Sequence, residues 1–494
     1  MKRFCFILTF CLLCCGLGAQ TYNLTIHDVS REFFAKKNLS YNLRWIGNND
    51  SAVYIVQQAS NKSKKLTLYH YNLGLNEVAS KELPTEDGTV CMGGFLNPTT
   101  VDIMMLEKTK TSFRTLHMQY NPVTLEQIGE SKVMKSFNLN DDMDCRYHIS
   151  SSPNGQVSAG IYVITARNRD PEVQVELYSR DLETYWNMDC GIAVLDQASV
   201  TDSGEVLLSG YYTKKMDKKT YFEVVMMDGE KIKRYCFNVD LGTICSSQLV
   251  KYDGHRIILS GVVQDPDKKD ENKVQASSIF ALVYNTDLER IESTKYHSFS
   301  FVESARMQNL KDSYFSRYKP IEFVNFFAST NDPEGAIVGY RPTFYNAING
   351  IPSTYTFGGI LLLRINNSGD FVWSQTLRHW SEMNFFLRDY DHADMRQFGN
   401  KTFILIPENA SNIDRPESKP FKKYTPPNGK NALRIVAIDP SGDIQNQYIE
   451  LPKNLSPLSH PHRDYSCTDI HNPRFVYLLS GSSKTCLATF SIKQ

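Results

Sequence analysis

After its first residues the chain has no hydrophobic run long enough for a membrane helix. No segment beyond Cys15 reaches about 18 uncharged apolar residues, so the chain is not expected to cross a bilayer as a helix. Net charge is absent too: 54 Lys and Arg balance 54 Asp and Glu. A neutral chain supplies no whole-molecule field to draw in nucleic acid or an anionic membrane, and no nucleic-acid partner is expected. Past residue 19 there is no Cys-x-x-Cys, which removes support for a zinc ribbon or a thioredoxin-like centre. His-Glu-x-x-His, an EF-hand loop and Gly-x-Ser-x-Gly are also missing. No cofactor or metal is implied, and no catalytic residue is assigned.

The N-terminus carries the pattern of a secretory signal. Lys2 and Arg3 precede an uncharged stretch from Phe4 to Cys15, followed by the small-residue segment Gly16-Leu17-Gly18-Ala19. The stretch is too short to span about 30 Å of hydrocarbon, so residues 1–19 are expected to be a signal peptide cleaved after Ala19. Residues 20–494 would form the mature, exported domain, periplasmic or extracellular. Seven cysteines follow: Cys91, Cys145, Cys190, Cys236, Cys245, Cys467 and Cys486. An odd number leaves at least one free or intermolecular thiol in a monomer. Cys236 with Cys245, then Cys467 with Cys486, are the first choices for disulfides, against the reading that most are small buried hydrophobes.

A recurring phrase organises the rest: a turn with Gly, Asn or Pro, then a β-rich run that often reaches another Gly. It appears at Asn154-Gly155 to Gly160, Ser203-Gly204 to Gly210, Asp253-Gly254 to Gly261, Glu334-Gly335 to Gly339 and Asn472-Pro473 to Gly481. A second phrase lies downstream in each unit, where an alternating strand meets an Asn, Asp or Gly turn. Examples are Asn72, Asn121-Pro122, Asp228-Gly229, Asn285, Asn366 to Gly369 and Asp439 to Gly442. Alternation bounded by such turns is the signature of strands and hairpins. A period of roughly 50 residues with four strands per unit predicts an all-β fold, a single β-propeller of four-stranded antiparallel blades.

The units fall at 40–84, 86–137, 143–192, 194–242, 243–299, 317–378, 388–452 and 463–494. Eight blades are counted, with seven as the alternative if one weak unit is an insertion. The last unit lacks a strand. The segment Thr21 to Val29 is expected to supply it by pairing with the C-terminus and so to close the ring, removing exposed edges. Two β-sandwiches are the competing architecture.

Two units, Leu361 to Trp373 and Arg434 to Ile444, resemble repeats of exported bacterial propellers, a broad class that includes PQQ-like propellers of the Bacteroidota. Only the first copy has the tryptophan, so the resemblance does not imply a quinone cofactor. The Gly-His and Trp-Asp pairs of WD40 repeats are absent.

Departures from the repeat mark candidate sites. The segments 264–275, 342–357 and 409–431 are read as long loops between second and third strands, the last with basic Lys419, Lys422 and Lys423 among several prolines. Those at 300–319 and 379–388 join one blade to the next, the first with a short helix near Val302 to Leu310. Long loops in a compact domain tend to be functional or disordered. The polar clusters Arg388-Asp389-Tyr390-Asp391-His392 and His462-Arg463-Asp464-Tyr465 are placed just before innermost strands, with Arg317-Tyr318 and Arg146-Tyr147 in similar positions. Arg would grip a carboxylate, Tyr would stack on a sugar or peptide, and Asp with His would serve a cation or acid–base chemistry. The plainer alternative is that Arg-Asp and Arg-Tyr elements tie blades together. The expected function is a binding scaffold for a protein, peptide or glycan, monomeric or a subunit of a cell-envelope complex. A carbohydrate lyase or hydrolase at the central channel is the rival.

Overall fold

The computed structural model describes residues 22–29, 43–49, 51–58, 65–86, 89–97, 99–139, 143–152, 156–166, 172–179, 183–191, 195, 197–213, 220–238, 243–264, 276–299, 320–322, 327–329, 334–348, 351–384, 394–398, 401–416, 418–426, 429–453, 455–458, 474–481 and 485–492. Among these, strands form nine four-stranded sheets, and every strand pairing with a recorded register is antiparallel. No helix among the described residues is long and apolar enough to cross a membrane.

The fold is a β-propeller of four-stranded antiparallel blades. Seven blades are each laid down by one stretch of chain, within 43–82, 89–138, 143–190, 197–238, 243–298, 327–377 and 394–450. Seven was the alternative count, and it replaces eight. The stretch 463–494 makes no blade of its own. Its strands Arg474–Gly481 and Thr485–Ile492 join Leu455–Leu458 and the N-terminal Tyr22–Val29 in a composite sheet. Tyr22 stands opposite Ile492 and Val29 opposite Thr485, so the N-terminal strand does pair with the C-terminus.

Another expectation is corrected at 342–357. This is not a loop but a hairpin, Thr343–Ile348 with Ile351–Phe357, inserted between the second and third strands of the sixth blade. With Pro320–Glu322 and Ser381–Asn384 it makes an accessory sheet. Its alternation of aromatic and small residues is strand chemistry, and two further segments supply the pairing that a hairpin alone lacks.

The chain separates into two compact units, one comprising Met1–Leu106, Leu116–Lys132 and Asn454–Gln494, the other Glu107–Thr115 and Val133–Lys453. In the first, Ile46, Tyr54 and Val56 of the first blade pack with Val101, Ile103 and Met105 of the next. In the second, consecutive blades pack face to face. The strand Thr220–Met227 sends Phe222, Val224 and Met226 to the fifth blade, but Val225 and Met227 to the third. Likewise Phe280, Leu282 and Tyr284 face the fourth blade, while Ile279, Ala281 and Val283 face the sixth. Middle strands are thus apolar on both sides because each side meets a neighbour. The outer strands Glu77–Glu82 and Arg290–Ser298 are largely exposed and charged, which discourages edge pairing.

The repeated turns have one physical basis. The side-chain oxygens of Asn121, Asp228, Asn285, Asn366 and Asp439 accept hydrogen bonds from backbone N–H groups two to four residues on. Gly442 follows Asp439 at φ 93°, and a Cβ there would lie 3.1 Å from Trp373 of the preceding blade. That Trp373 donates its indole N–H to Pro440 O at 3.0 Å, so the turn of one blade is clamped on the outer strand of another. The later glycine of the phrase has a different cause at Gly160. A Cβ there would meet the rings of Tyr147 and Tyr178 at 3.0 Å.

Candidate functional site

All eleven polar residues singled out as ligand contacts lie outside the described residues: Arg317, Tyr318, Arg388, Asp389, Tyr390, Asp391, His392, His462, Arg463, Asp464 and Tyr465. In sequence, Arg388-Asp389-Tyr390 precede Asp394–Phe398, the first strand of the seventh blade. Arg463-Asp464-Tyr465 instead fall between the first and second strands of the composite sheet, Leu455–Leu458 and Arg474–Gly481. Arg317-Tyr318 precede the accessory strand Pro320–Glu322 rather than a first blade strand. Of the cysteines proposed to pair, Cys236 is exposed on Ile232–Asn238; the side chains of Cys245, Cys467 and Cys486 lie outside the description. Cys91 and Cys145 are buried thiols, and burial pushes each up to about 12.

The described Arg-Tyr copy is structural. Arg146 is exposed, but Tyr147 is buried with its ring centroid 4.9 Å from that of Tyr162. Beside it runs a buried chain of hydroxyls. Tyr178 donates its one proton to Glu176, so it accepts from Tyr162 at 3.1 Å, and Tyr162 accepts from Thr115 at 3.0 Å. Lys135 completes the chain at 2.7 Å from Glu176. Burial holds the phenols of Tyr147, Tyr162 and Tyr178 well above their ordinary range, so they stay neutral, Tyr162 and Tyr178 as donors. In the other unit Asp102 is fully buried and accepts four hydrogen bonds: from Asn97 at 2.7 Å, Thr100 at 2.6 Å, His117 Nε2 at 2.7 Å and Gln119 at 2.8 Å. Burial alone would raise its pKa, but the donors, His117 foremost, hold it below 3.8. Apart from the Tyr147 hydroxyl, these buried groups are occupied with one another.

The segment 409–430 is different: it is a long insertion whose described residues, 409–416, 418–426 and 429–430, are held by hydrogen bonds and expose charged side chains. It leaves the strand Lys401–Asn409, whose apolar run ends in a fully buried carboxylate, Glu408. Asn409 caps a short 3-10 turn, Ala410–Asn412, by accepting from Ser411 N–H at 2.9 Å. Glu408 Oε1 accepts from Asn409 N–H at 3.0 Å and from Asn412 Nδ2 at 2.8 Å, while Oε2 lies 3.4 Å from His379 Nδ1, also fully buried. Tyr424 is buried above them and its N–H donates to Trp380 O at 2.8 Å. The Arg378 guanidinium stacks on Phe421, 4.2 Å from the ring centroid, and donates to Lys419 O and Pro416 O. Arg434 donates to Arg378 O at 2.8 Å and grips Asn446 Oδ1 through two nitrogens.

Each lysine of this segment has its backbone held while its side chain points into solvent. Lys419 O accepts from Arg378, Lys422 O from Asn412 at 2.8 Å, Lys423 O from Asn409 at 2.9 Å and Lys430 O from Ala410 N–H at 3.0 Å. All four lysines are exposed; Lys423 also pairs with Glu382 at 3.1 Å. Sequence reasoning found the loop with Lys419, Lys422 and Lys423 but missed Lys430, Glu408, Asn412, Arg378 and Phe421. Its one signal was a carboxylate closing the otherwise apolar run Phe403 to Glu408. Among the described residues no three His, Cys, Asp or Glu side chains come together as a metal-ligand set.

No family model matches the chain, and no curated protein matches it by sequence. Solved structures similar to it include the β-propeller domain of the Trilobed protease of Pyrococcus furiosus, with 11% identity over 85% of this chain and 97% of that one, at a TM-score of 0.36. A mutant apocarotenoid oxygenase of Synechocystis is 8% identical over 90% of this chain and 95% of that one, at 0.35. The core factor of S. cerevisiae is 8% identical over 98% and 64%, at 0.31. At such scores these likenesses carry no argument about activity, and the fold rests on the strand pairing itself.

Proposed function

We propose that this protein is an exported binding scaffold that recognises a macromolecular partner through the loops of its later blades. The supporting observation is the segment 409–430. Buried polar side chains are spent on holding it, and its cationic side chains are left outside. A loop ordered before binding loses little entropy on association, which favours recognition. Asp102 with His117 and Glu408 with His379 are buried pairs whose members engage one another, an arrangement suited to bracing rather than turnover. The polar clusters at 388–392 and 462–465 are proposed as further ligand contacts. Signal-peptide cleavage after Ala19 would deliver the chain to the cell envelope or beyond.

The test is capture from native envelope extract with the purified protein as bait, together with N-terminal sequencing of the exported form. A partner retained in near-stoichiometric amount and an N-terminus at Gln20 are the expected results. Retention of no partner, combined with turnover of an oligosaccharide panel, overturns the scaffold in favour of a carbohydrate-active enzyme.

A further inference from the structure

The charge of the segment 409–430 departs from that of the chain. The whole protein is neutral, yet this stretch carries Arg415, Lys419, Lys422, Lys423 and Lys430 against Asp414 and Glu417, a net of +3. The lysines do not hang on a flexible tether. Asn412 holds Lys422 at both backbone groups, accepting its N–H at 2.7 Å and donating to its carbonyl at 2.8 Å. Arg415 Nε donates to Pro420 O at 2.6 Å, which tightens the bend leading to Lys422. The described backbone that carries these lysines is therefore held in place, and their side chains are exposed from it.

Resting on the scaffold reading above, we infer that these lysines form the docking site for an acidic polypeptide segment of the partner, rich in Asp and Glu. Ammonium groups are strongly hydrated point charges without the fixed fork of arginine, so they suit separate carboxylates on flexible side chains. A sugar polymer is less well served. Stacking on a pyranose needs an exposed aromatic face, and the aromatic rings of the segment, Phe421 and Tyr424, are both buried. Phe421 is already covered by Arg378. The carbonyls of Lys419, Lys422, Lys423 and Lys430 are tied inward and so are poorly placed to accept from sugar hydroxyls. Lys423 shares its charge with Glu382 and contributes least.

The experiment measures binding of the full-length protein to poly-L-glutamate and to polygalacturonate, which carries the same carboxylates on a sugar backbone. Poly-L-glutamate is expected to bind more tightly, and to weaken about tenfold or more between low and physiological ionic strength, because exposed charges are screened. The triple variant Lys419→Gln, Lys422→Gln, Lys430→Gln should lose binding by roughly tenfold or more with its melting temperature unchanged, whereas the corresponding Lys→Arg triple keeps it. Lys423→Gln alone should change affinity by less than about threefold. Asn412→Ala retains every charge but frees the backbone of Lys422, and weaker binding by that variant supports a held backbone over bulk charge. If Asn412→Ala fails to fold, the Gln and Arg triples still decide the outcome. Tighter binding to polygalacturonate, or binding to neither polymer, overturns the inference. So does a partner captured from extract that the Gln triple retains undiminished, although the scaffold reading would then survive. If no partner is captured and neither polymer binds, both readings fall.

Discussion

Asp102 and Glu408 are both fully buried carboxylates, but they are satisfied in different ways. Asp102 takes its four hydrogen bonds from Asn97, Thr100, His117 and Gln119, all on or beside two strands of its own blade. Glu408 takes two from the start of an insertion and faces His379, which follows the last strand of the preceding blade. A buried anion is costly unless its lone pairs are filled, so each carboxylate fixes the groups that fill them. Asp102 therefore secures a blade, and Glu408 secures a surface loop. The same chemistry supports the fold in one place and a presentable surface in the other.

The largest effect is expected for Asp102→Ala, which strips the acceptor from four donors at once. Equilibrium denaturation should show a loss of about 4 kcal/mol, since each unsatisfied buried polar group costs about 1–3 kcal/mol. Asp102 also carries a pH signature. Its folded pKa lies below the ordinary 3.8, so its stabilisation is fully present above that value and disappears as pH falls through the folded value. Asp102→Asn should flatten the stability profile below about pH 4; an unchanged acid limb would rule Asp102 out as its source.

Glu408→Ala should cost somewhat less, about 3 kcal/mol, and should differ in kind. Limited proteolysis should now cut within 410–430, while Asp102→Ala should leave that segment resistant under native conditions. If both variants are cut there equally, the contrast between blade anchor and loop anchor is lost. Gly442→Ala comes next. It places a Cβ at φ 93° and 3.1 Å from Trp373, which should lower stability by about 1–2 kcal/mol, with altered tryptophan fluorescence as a second readout. The smallest effect is expected at an exposed turn. Asp439→Ala removes bonds to the Ser441 and Asp443 N–H groups that water can replace, for about 1 kcal/mol or less by thermal melting.

Much of the fold was legible because its cues are local. Asn285 and Asp439 cap turns through bonds to residues two to four positions on, and alternation in Thr220–Met227 follows from a period of two. The pairing of the N-terminal strand with the C-terminus was readable from a missing strand at one end and a spare one at the other. The hairpin 343–357 was misread because its pairing partners, Pro320–Glu322 and Ser381–Asn384, lie tens of residues away. The candidate surface was half visible. Its lysines stood out among prolines, but the groups that fix them did not, since Arg378 reaches Lys419 and Asn409 reaches Lys423 only after the chain has folded.

By itself the sequence determined the all-β repeat, the four-strand unit and the turn positions, because short-range hydrogen bonds and side-chain alternation specify them within a few residues. Only the tertiary structure decided the blade count, the composite sheet and the hydrogen bonds that hold the described residues of 409–430. Those depend on which distant strands pair and on where buried charges such as Glu408 find their partners.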